Sequence, residues 1–526
     1  VAGLFPVFDG QGWQSLLAHP QLWPALWLSL FTGTCAVGLS LFLALVIVAS
    51  LYESRWWRWL SPATGAFLAI PHLAFAIGFA FLIMPSGLIA RLIALIFTGW
   101  DSPPQWVTTQ DPWGLSLIAS LVLKETPFLI WLIWSFLSRS DIAQSLAGQR
   151  RSARSLGHGP RAVWLYILLP QLLPRLFWPI VIVWVYGVTV VDMALVIGPT
   201  QPPTLAVIAW ADLNDASTEL NARGSVAAVL LTAALIAVAL LAIGLFQLIK
   251  RPLRNVMVAG PVLKAAGSRN RQSYAGSLLF LASVIVYALV VAMLIVMSFA
   301  GPWPFPNLLP NAAQTSAWSQ LGATPDPAVA SFFFSATASI AAVVMAVLWL
   351  ETLSSRFDHL LTIAAIAALA FPTLLLAGGQ YALFLRLGLT GGALGLFLAH
   401  LMQVFAYVFI VLQGPYRAFD PRYKSVSLGL NTSKWRFWLA IKAPLLKPVL
   451  AAALAVGFAV GMAQYVPVQL VASGRFSTLA LEAVTLSSGG NRPLMAVYAL
   501  ALTLPVALGF LLAARMASPK WRRAWA

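Results

Sequence analysis

Apolar runs long enough to cross a bilayer recur along the whole of this chain, and they leave it few ways to fold. A spanning helix needs roughly 20 mostly apolar residues. Of the 526 residues, 60% are hydrophobic and only 9% are charged, too few charges to cover a soluble globule. The reading is an all-α polytopic membrane protein. The net charge of +17 does not point to nucleic acid, because the lysines and arginines are scattered over short loops, as topology signals are. Cys35 stands alone in an apolar run, so no internal disulfide forms, and no Cys/His spacing suggests a metal.

Spans are expected at about 23–52, 62–84, 114–137, 172–198, 225–249, 276–299, 328–350, 360–385, 394–413, 449–472 and 494–515. The loops at 53–61, 138–171, 250–275 and 414–448 are basic, as is the tail from Arg515 with Lys520, Arg522 and Arg523. By the positive-inside rule these face the cytosol. Segment 300–327 has no cation, and 199–224 sets Asp212, Asp215 and Glu219 against Arg223, so both face outward. This topology puts the N-terminus outside. The stretch up to about Pro24 then holds the place that 300–327 holds later, but without a span before it. Either the first half has five spans, or one precedes Val1.

The chain repeats itself. The halves 1–256 and 257–526 match feature by feature. Pro71 corresponds to Pro372, and each has a glycine seven positions on, Gly78 and Gly379. A basic, helix-capable segment occurs in each half: RSARSLGHGPRAVWLYILLPQLLP from Arg151, and YKSVSLGLNTSKWRFWLAIKAPLLKP from Tyr423. Both contain Ser-Leu-Gly and close on a proline, Pro170 and Pro444, with another proline four residues later. Because both segments are cytosolic, the repeat is parallel. The expected architecture is two parallel pseudo-symmetric halves of five or six transmembrane helices each.

At these segments the chain resembles the permease subunits of bacterial ABC importers. Their motif is Glu-Ala-Ala, three residues, Gly, nine residues, Ile-x-Leu-Pro. Ala153, Gly157, Ile167 and Pro170 fall at its positions in the first copy, with Leu156 before the glycine and Arg151 in place of the Glu. In the second copy Leu428-Gly429 repeats Leu156-Gly157, and Tyr423 takes the place of the Glu. Ile441 and Pro444 then close two positions late, which calls for a short insertion near Asn431-Thr432. Double-length permeases of this kind resemble those of the thiamine and ferric-iron importers and their uncharacterised relatives. The resemblance implies a type I ABC importer-like fold. It also implies one chain doing the work of two permease subunits, a separate ATP-binding-cassette ATPase homodimer on the cytosolic side, and a periplasmic solute-binding protein outside. The two loops would couple the ATPase to the spans by rigid-body movement, giving alternating access. The chain itself has no G-x-x-x-x-G-K-[ST] loop, so ATP and Mg would be bound by the partner, and no cofactor by this chain. Each loop could otherwise be an interfacial amphipathic helix carrying topology charges.

Ionisable groups inside spans are costly and so are candidates for function. Lys124 and Glu125 lie mid-span beside Pro127, Asp192 lies towards an outer end, and His72 follows Pro71. The matching spans of the second half carry His400, Gln403, Gln464 and Tyr465. These eight are expected to line a common path. Alternatively Lys124 forms a structural ion pair with Glu125 or Asp192, His72 is a satisfied interior imidazole, and the glutamines are interhelical hydrogen-bond donors. An ion-coupled carrier would use Glu125, Asp192 and Lys124 as its sites. A membrane enzyme is disfavoured, because no H-E-x-x-H, G-x-S-x-G or paired catalytic carboxylates occur.

Overall fold

The computed structural model describes residues 10–52, 54–258 and 274–517. The cations Lys264, Arg269, Arg271, Lys520, Arg522 and Arg523 lie outside the described residues. Helices carry the fold, and no strand occurs among the described residues. In chain order they begin with α1 (Gly10–Leu17), α2 (Leu22–Leu51), α3 (Trp57–Leu68), α4 (His72–Ile83), α5 (Leu88–Ile93) and α6 (Leu115–Ser138). Then come α7 (Ser140–Ser155), α8 (Pro160–Val163), α9 (Leu169–Thr189), α10 (Asp192–Ile197), α11 (Leu205–Leu213) and α12 (Thr218–Val258). They continue with α13 (Tyr274–Ser298), α14 (Ser316–Ala323), α15 (Asp326–Thr352), α16 (Asp358–Leu369), α17 (Thr373–Arg386) and α18 (Ala393–Arg417). The last are α19 (Arg422–Gly429), α20 (Lys434–Phe437), α21 (Ala443–Met462), α22 (Val466–Val471), α23 (Leu479–Gly489) and α24 (Arg492–Ala517). Among the described residues ten helices are long and apolar enough to cross a membrane, and the bent pair α16–α17 raises this to as many as eleven.

Four expected spans are broken, and each break has a local cause. The run 62–84 divides between α3 and α4, where Pro71 lacks the N–H that would continue the ladder. Its counterpart 360–385 divides at Pro372, and α16 and α17 meet at 103°. The run 172–198 stops at Val190, whose backbone is extended (φ −63°, ψ 131°). Val190 and Val191 are β-branched and favour such backbone, and the chain restarts as α10. The run 449–472 stops after Met462 and restarts as α22, with Pro467 in the first turn, where a missing N–H costs nothing. Apart from Gln464, the residues at these breaks carry no strongly polar side chain, so hydropathy runs through them with little change. The segments 199–224 and 473–493, expected to face outward, also contain more than loop. They hold α11 and α23, with Leu205, Ala206, Ala209, Leu479, Ala480 and Ala483 buried.

The same serine contact sets the start of α11 and of α23. Ser29 on α2 accepts the Leu205 amide at 2.8 Å, and Ser331 on α15 accepts the Leu479 amide at 2.8 Å. Each bond satisfies an orphan N–H at the first turn of α11 or α23. The core gathers around α4 and α6. In the most apolar stretch of the run His72–Thr98, which begins with α4, and of α6, 72% of the residues are buried, against 22% in α13, which places α13 on the outside of the bundle.

Candidate functional site

The two segments expected to face the cytosol are built alike from the residues upward. Helix α7 ends at Ser155, Leu156 caps it, and Gly157 turns the chain with φ +83°. The Gly157 amide donates to the Arg154 carbonyl and the His158 amide to the Ala153 carbonyl, each at 3.0 Å. This is the paired closure in which the residue after the cap is left-handed, a place for Gly and sometimes Asn. Helix α19 ends at Gly429, Leu430 caps it, and Asn431 turns the chain with φ +58°. The Asn431 amide donates to the Leu428 carbonyl at 3.0 Å and the Thr432 amide to the Ser427 carbonyl at 3.3 Å.

This geometry corrects the register expected from sequence. Asn431, not Gly429, does the work of Gly157. Thirteen positions separate Gly157 from Pro170, and the same thirteen separate Asn431 from Pro444, so no insertion is needed. Gly429 is helical, Ser425 rather than Tyr423 matches Arg151, and Leu430 rather than Leu428 matches Leu156. Leu156 and Leu430 are each 73% exposed, while Ala153 and its counterpart Ser427 are buried. Each tip therefore presents a leucine outward from a fixed turn. Arg151 is exposed and donates only to its own helix at the Ala147 carbonyl, 3.3 Å away. Tyr423 is 51% exposed and packs on Phe419.

A wide turn then leads into each following span. The Leu169 amide reaches back five residues to the Trp164 carbonyl, and the Ala443 amide to the Trp438 carbonyl. Pro170 and Pro444 explain the widening, since neither has an N–H for the carbonyl four residues back. Ile167 and Ile441 are half-buried within these turns. The second turn is anchored by polar groups that hydropathy could not single out. Tyr416 donates to Glu351 at 2.6 Å, Trp438 donates to the Tyr416 oxygen at 2.8 Å, and Lys442 pairs with Glu351. Beside them Arg417 holds Asp358 through two nitrogens, at 2.6 and 2.9 Å. In the first segment Arg150 donates to Tyr52 at 3.2 Å.

The intramembrane candidates divide into two groups. His72, at the start of α4, lies 3.0 Å from Glu125 on α6. The His72 ring also meets the edge of Tyr186, with centroids 5.0 Å apart. Asp192 lies within Coulombic reach of His72, Tyr186 and Tyr465. Tyr407 of α18 lies within reach of both Glu125 and Tyr186. Tyr407 is 37% exposed although it sits mid-span. Its charged neighbour Glu125 belongs to α6 in the first half, so Tyr407 lies near the meeting of the two halves. His72, Glu125, Asp192 and Tyr465 thus come together. Tyr186 and Tyr407 join them, and sequence reasoning missed both because a tyrosine inside a span carries no hydropathy signal.

Lys124, His400, Gln403 and Gln464 stand apart. Lys124 is buried and pairs with neither Glu125 nor Asp192. Its Nζ donates to the carbonyls of Phe67 at 3.1 Å and Ile70 at 2.6 Å. Those carbonyls lie at the end of α3, where Phe67 also accepts the Ile70 amide at 3.3 Å, and the rings of Phe75 and Tyr287 lie 5.8 Å from the ammonium. His400 is buried, with Nδ1 2.9 Å from the Leu396 carbonyl and its ring stacked on Phe334. Gln464 donates to the His400 carbonyl at 3.2 Å, and Gln403 is half-buried on α18.

No family model matches the chain. It is 31% identical over 522 residues to the inner membrane ABC transporter permease protein YnjC of Escherichia coli (strain K12), a match spanning 98% of this chain and 92% of that protein. Identity at this level over nearly the whole length, on a bundle of membrane-spanning helices, settles the family. An ABC permease works with an ATPase partner. The chain belongs to the ABC transporter permeases and is a multi-pass inner-membrane transport subunit.

Proposed function

We propose that this chain is the double-length permease of an ABC importer, moving a small solute from a periplasmic binding protein to the cytoplasm. The observation that carries this reading is the pair of matching tips. Two cytosolic helices end in the same left-handed turn, present one leucine each, and pass through the same wide turn into a span. An ATPase homodimer offers two equivalent sockets, and two equivalent tips on one chain are what it would engage. Residues 1–256 and 257–526 then serve as the two permease halves, with 138–171 and 414–448 as coupling loops. ATP and Mg are bound by the ATPase, and this chain carries no cofactor.

The solute path runs along the seam marked by His72, Glu125, Asp192, Tyr186, Tyr407 and Tyr465. Two carboxylates facing tyrosine rings suit a cation, in keeping with the resemblance to thiamine and ferric-iron permeases. The binding protein docks on the outward segments 199–224, 300–327 and 473–493. Because Lys124 is occupied with backbone carbonyls, one of the three groups that an ion-coupled carrier would need is already committed to structure.

The test is co-reconstitution with the cognate ATPase. Replacing Leu156 and Leu430 by Asp should abolish ATPase association while leaving the purified chain monodisperse. Undiminished association would refute the coupling role of the tips.

A further inference from the structure

The serine contacts at Leu205 and Leu479 also align the two segments expected to face outward. Helix α12 starts at Thr218, thirteen positions beyond Leu205, and α24 starts at Arg492, thirteen beyond Leu479. Residues 201–219 and 475–493 therefore correspond one to one, yet their charges do not. Asp215 and Glu219 are exposed in the first half, and Gly489 and Pro493 hold their places in the second. Arg475 and Arg492 are exposed in the second half, and Gln201 and Thr218 hold their places in the first.

The other charges of this face are matched within the chain. Asp212 accepts from two nitrogens of Arg223, each at 2.7 Å. Glu482 is half-buried and accepts the Ser477 hydroxyl. Asp111 accepts the amides of Leu115 and Ser116 at 2.7 and 2.9 Å. Asp326 sits in the first turn of α15, where the helix N-terminus offsets a negative charge. Glu219 is left differently. Arg223 feels its charge but bonds to Asp212, and Glu219 makes no ion pair among the described residues. It lines a polar cavity of about 680 Å³ with Gln11, Gln14, His19 and Arg223. In the second half the Arg475 stem packs against Gly391, where a β-carbon would stand 3.1 Å from its Cδ. Arg492 donates to the Ser86 hydroxyl at 3.1 Å and lies within Coulombic reach of Arg91, a like charge. Neither Arg475 nor Arg492 has a carboxylate partner among the described residues.

We propose, on the importer reading above, that this face is polarised so as to seat the binding protein in one orientation only. A binding protein closes around its solute between two lobes, and two pseudo-symmetric halves would otherwise accept either lobe on either side. The lobe over 199–224 carries Lys or Arg at its rim, set against Asp215 and Glu219. The lobe over 473–493 carries Asp or Glu, set against Arg475 and Arg492. Turning the binding protein round brings like charges face to face, which rejects that pose and fixes the register. An orientation is needed because the path itself is lopsided: His72, Glu125 and Asp192 all belong to the first half.

The experiment uses the full chain with its ATPase in lipid nanodiscs and the cognate binding protein loaded with solute. The photo-cross-linker p-benzoylphenylalanine is placed at Ala216 or at Ser488, both exposed beside the charges in question, and adducts are sequenced by mass spectrometry. Ala216 should capture one lobe, at a peptide bearing Lys or Arg, and Ser488 the other lobe, at a peptide bearing Asp or Glu. Separately, Asp215→Lys with Glu219→Lys, and Arg475→Glu alone, should each weaken binding about tenfold or more at low salt. The difference should close near 1 M salt, where screening reaches about 3 Å. These side chains are exposed, so the variants should elute as the parent does. Capture of both lobes from one position, adducts without the stated charges, or affinities unmoved by the reversals would each overturn the polarity while leaving the importer reading in place. A parent chain that binds no binding protein would overturn both.

Discussion

Lys124 donates from Nζ to the Ile70 carbonyl at 2.6 Å, closing the end of a helix that Pro71 forbids to continue. Burying an ammonium is costly, and an unpaired one would destabilise the bundle. Here two carbonyls and two aromatic faces receive it, and charged hydrogen bonds contribute about 1.5–3 kcal/mol each. Lys124→Met should therefore destabilise the protein by about 1–3 kcal/mol, read as a lower apparent melting temperature in detergent. A higher melting temperature would mean that desolvation outweighs the clamp.

The turn residues give an opposite pair of effects. Gly157→Val forces a β-branched side chain into left-handed backbone and should cost about 1–2 kcal/mol. Gly429→Ala replaces a helical glycine and should stabilise by about 0.5–1 kcal/mol. If Gly429 were the turn residue, the alanine would harm the protein instead. Thermal unfolding of the two variants separates the registers, and Asn431→Gly should be neutral or mildly stabilising.

At the start of α16, Asp358 is buried with Arg417, whose side chain is 30% exposed. Removing one partner of a fully buried pair costs about 3–5 kcal/mol. The exposure of Arg417 lowers that figure, so Arg417→Met should cost about 1–3 kcal/mol. Adding Asp358→Asn should recover part of the loss, because the stranded carboxylate is gone. A double variant as unstable as the sum of the singles would show that the two residues act independently.

His72 and Glu125 touch each other across two helices, so their variants should not add. Glu125→Gln and His72→Gln should each lower solute uptake about tenfold or more without moving the melting temperature, and the double should be little worse than either. Additive losses would place the two residues on separate steps.

How much of this could be read from the chain depends on the residue. Long uncharged runs marked the spans, since a bilayer demands them. The break after Thr189 was hidden because Val190 and Val191 are as apolar as the helices around them, and the one after Met462 because a single polar residue, Gln464, does not interrupt an apolar run. The second Ser-Leu-Gly was misleading. It repeats the first as a string, yet Leu430-Asn431 performs the turn, because Asn tolerates left-handed backbone nearly as glycine does. Lys124 was visible as a costly group, but its partners are backbone carbonyls of another helix, and no side-chain pattern reports those. Tyr407 reaches Glu125 only through the meeting of the two halves, a relation of topology and not of spacing.

The most direct test of the central claim is solute uptake by proteoliposomes holding this chain and its cognate ATPase. ATP sits on the cytosolic side, and liganded binding protein sits on the other. The account predicts ATP-dependent accumulation on the cytosolic side that requires the binding protein and is lost when Leu156 and Leu430 are both Asp. Uptake driven by an ion gradient without ATP, or movement only in the outward direction, would contradict it.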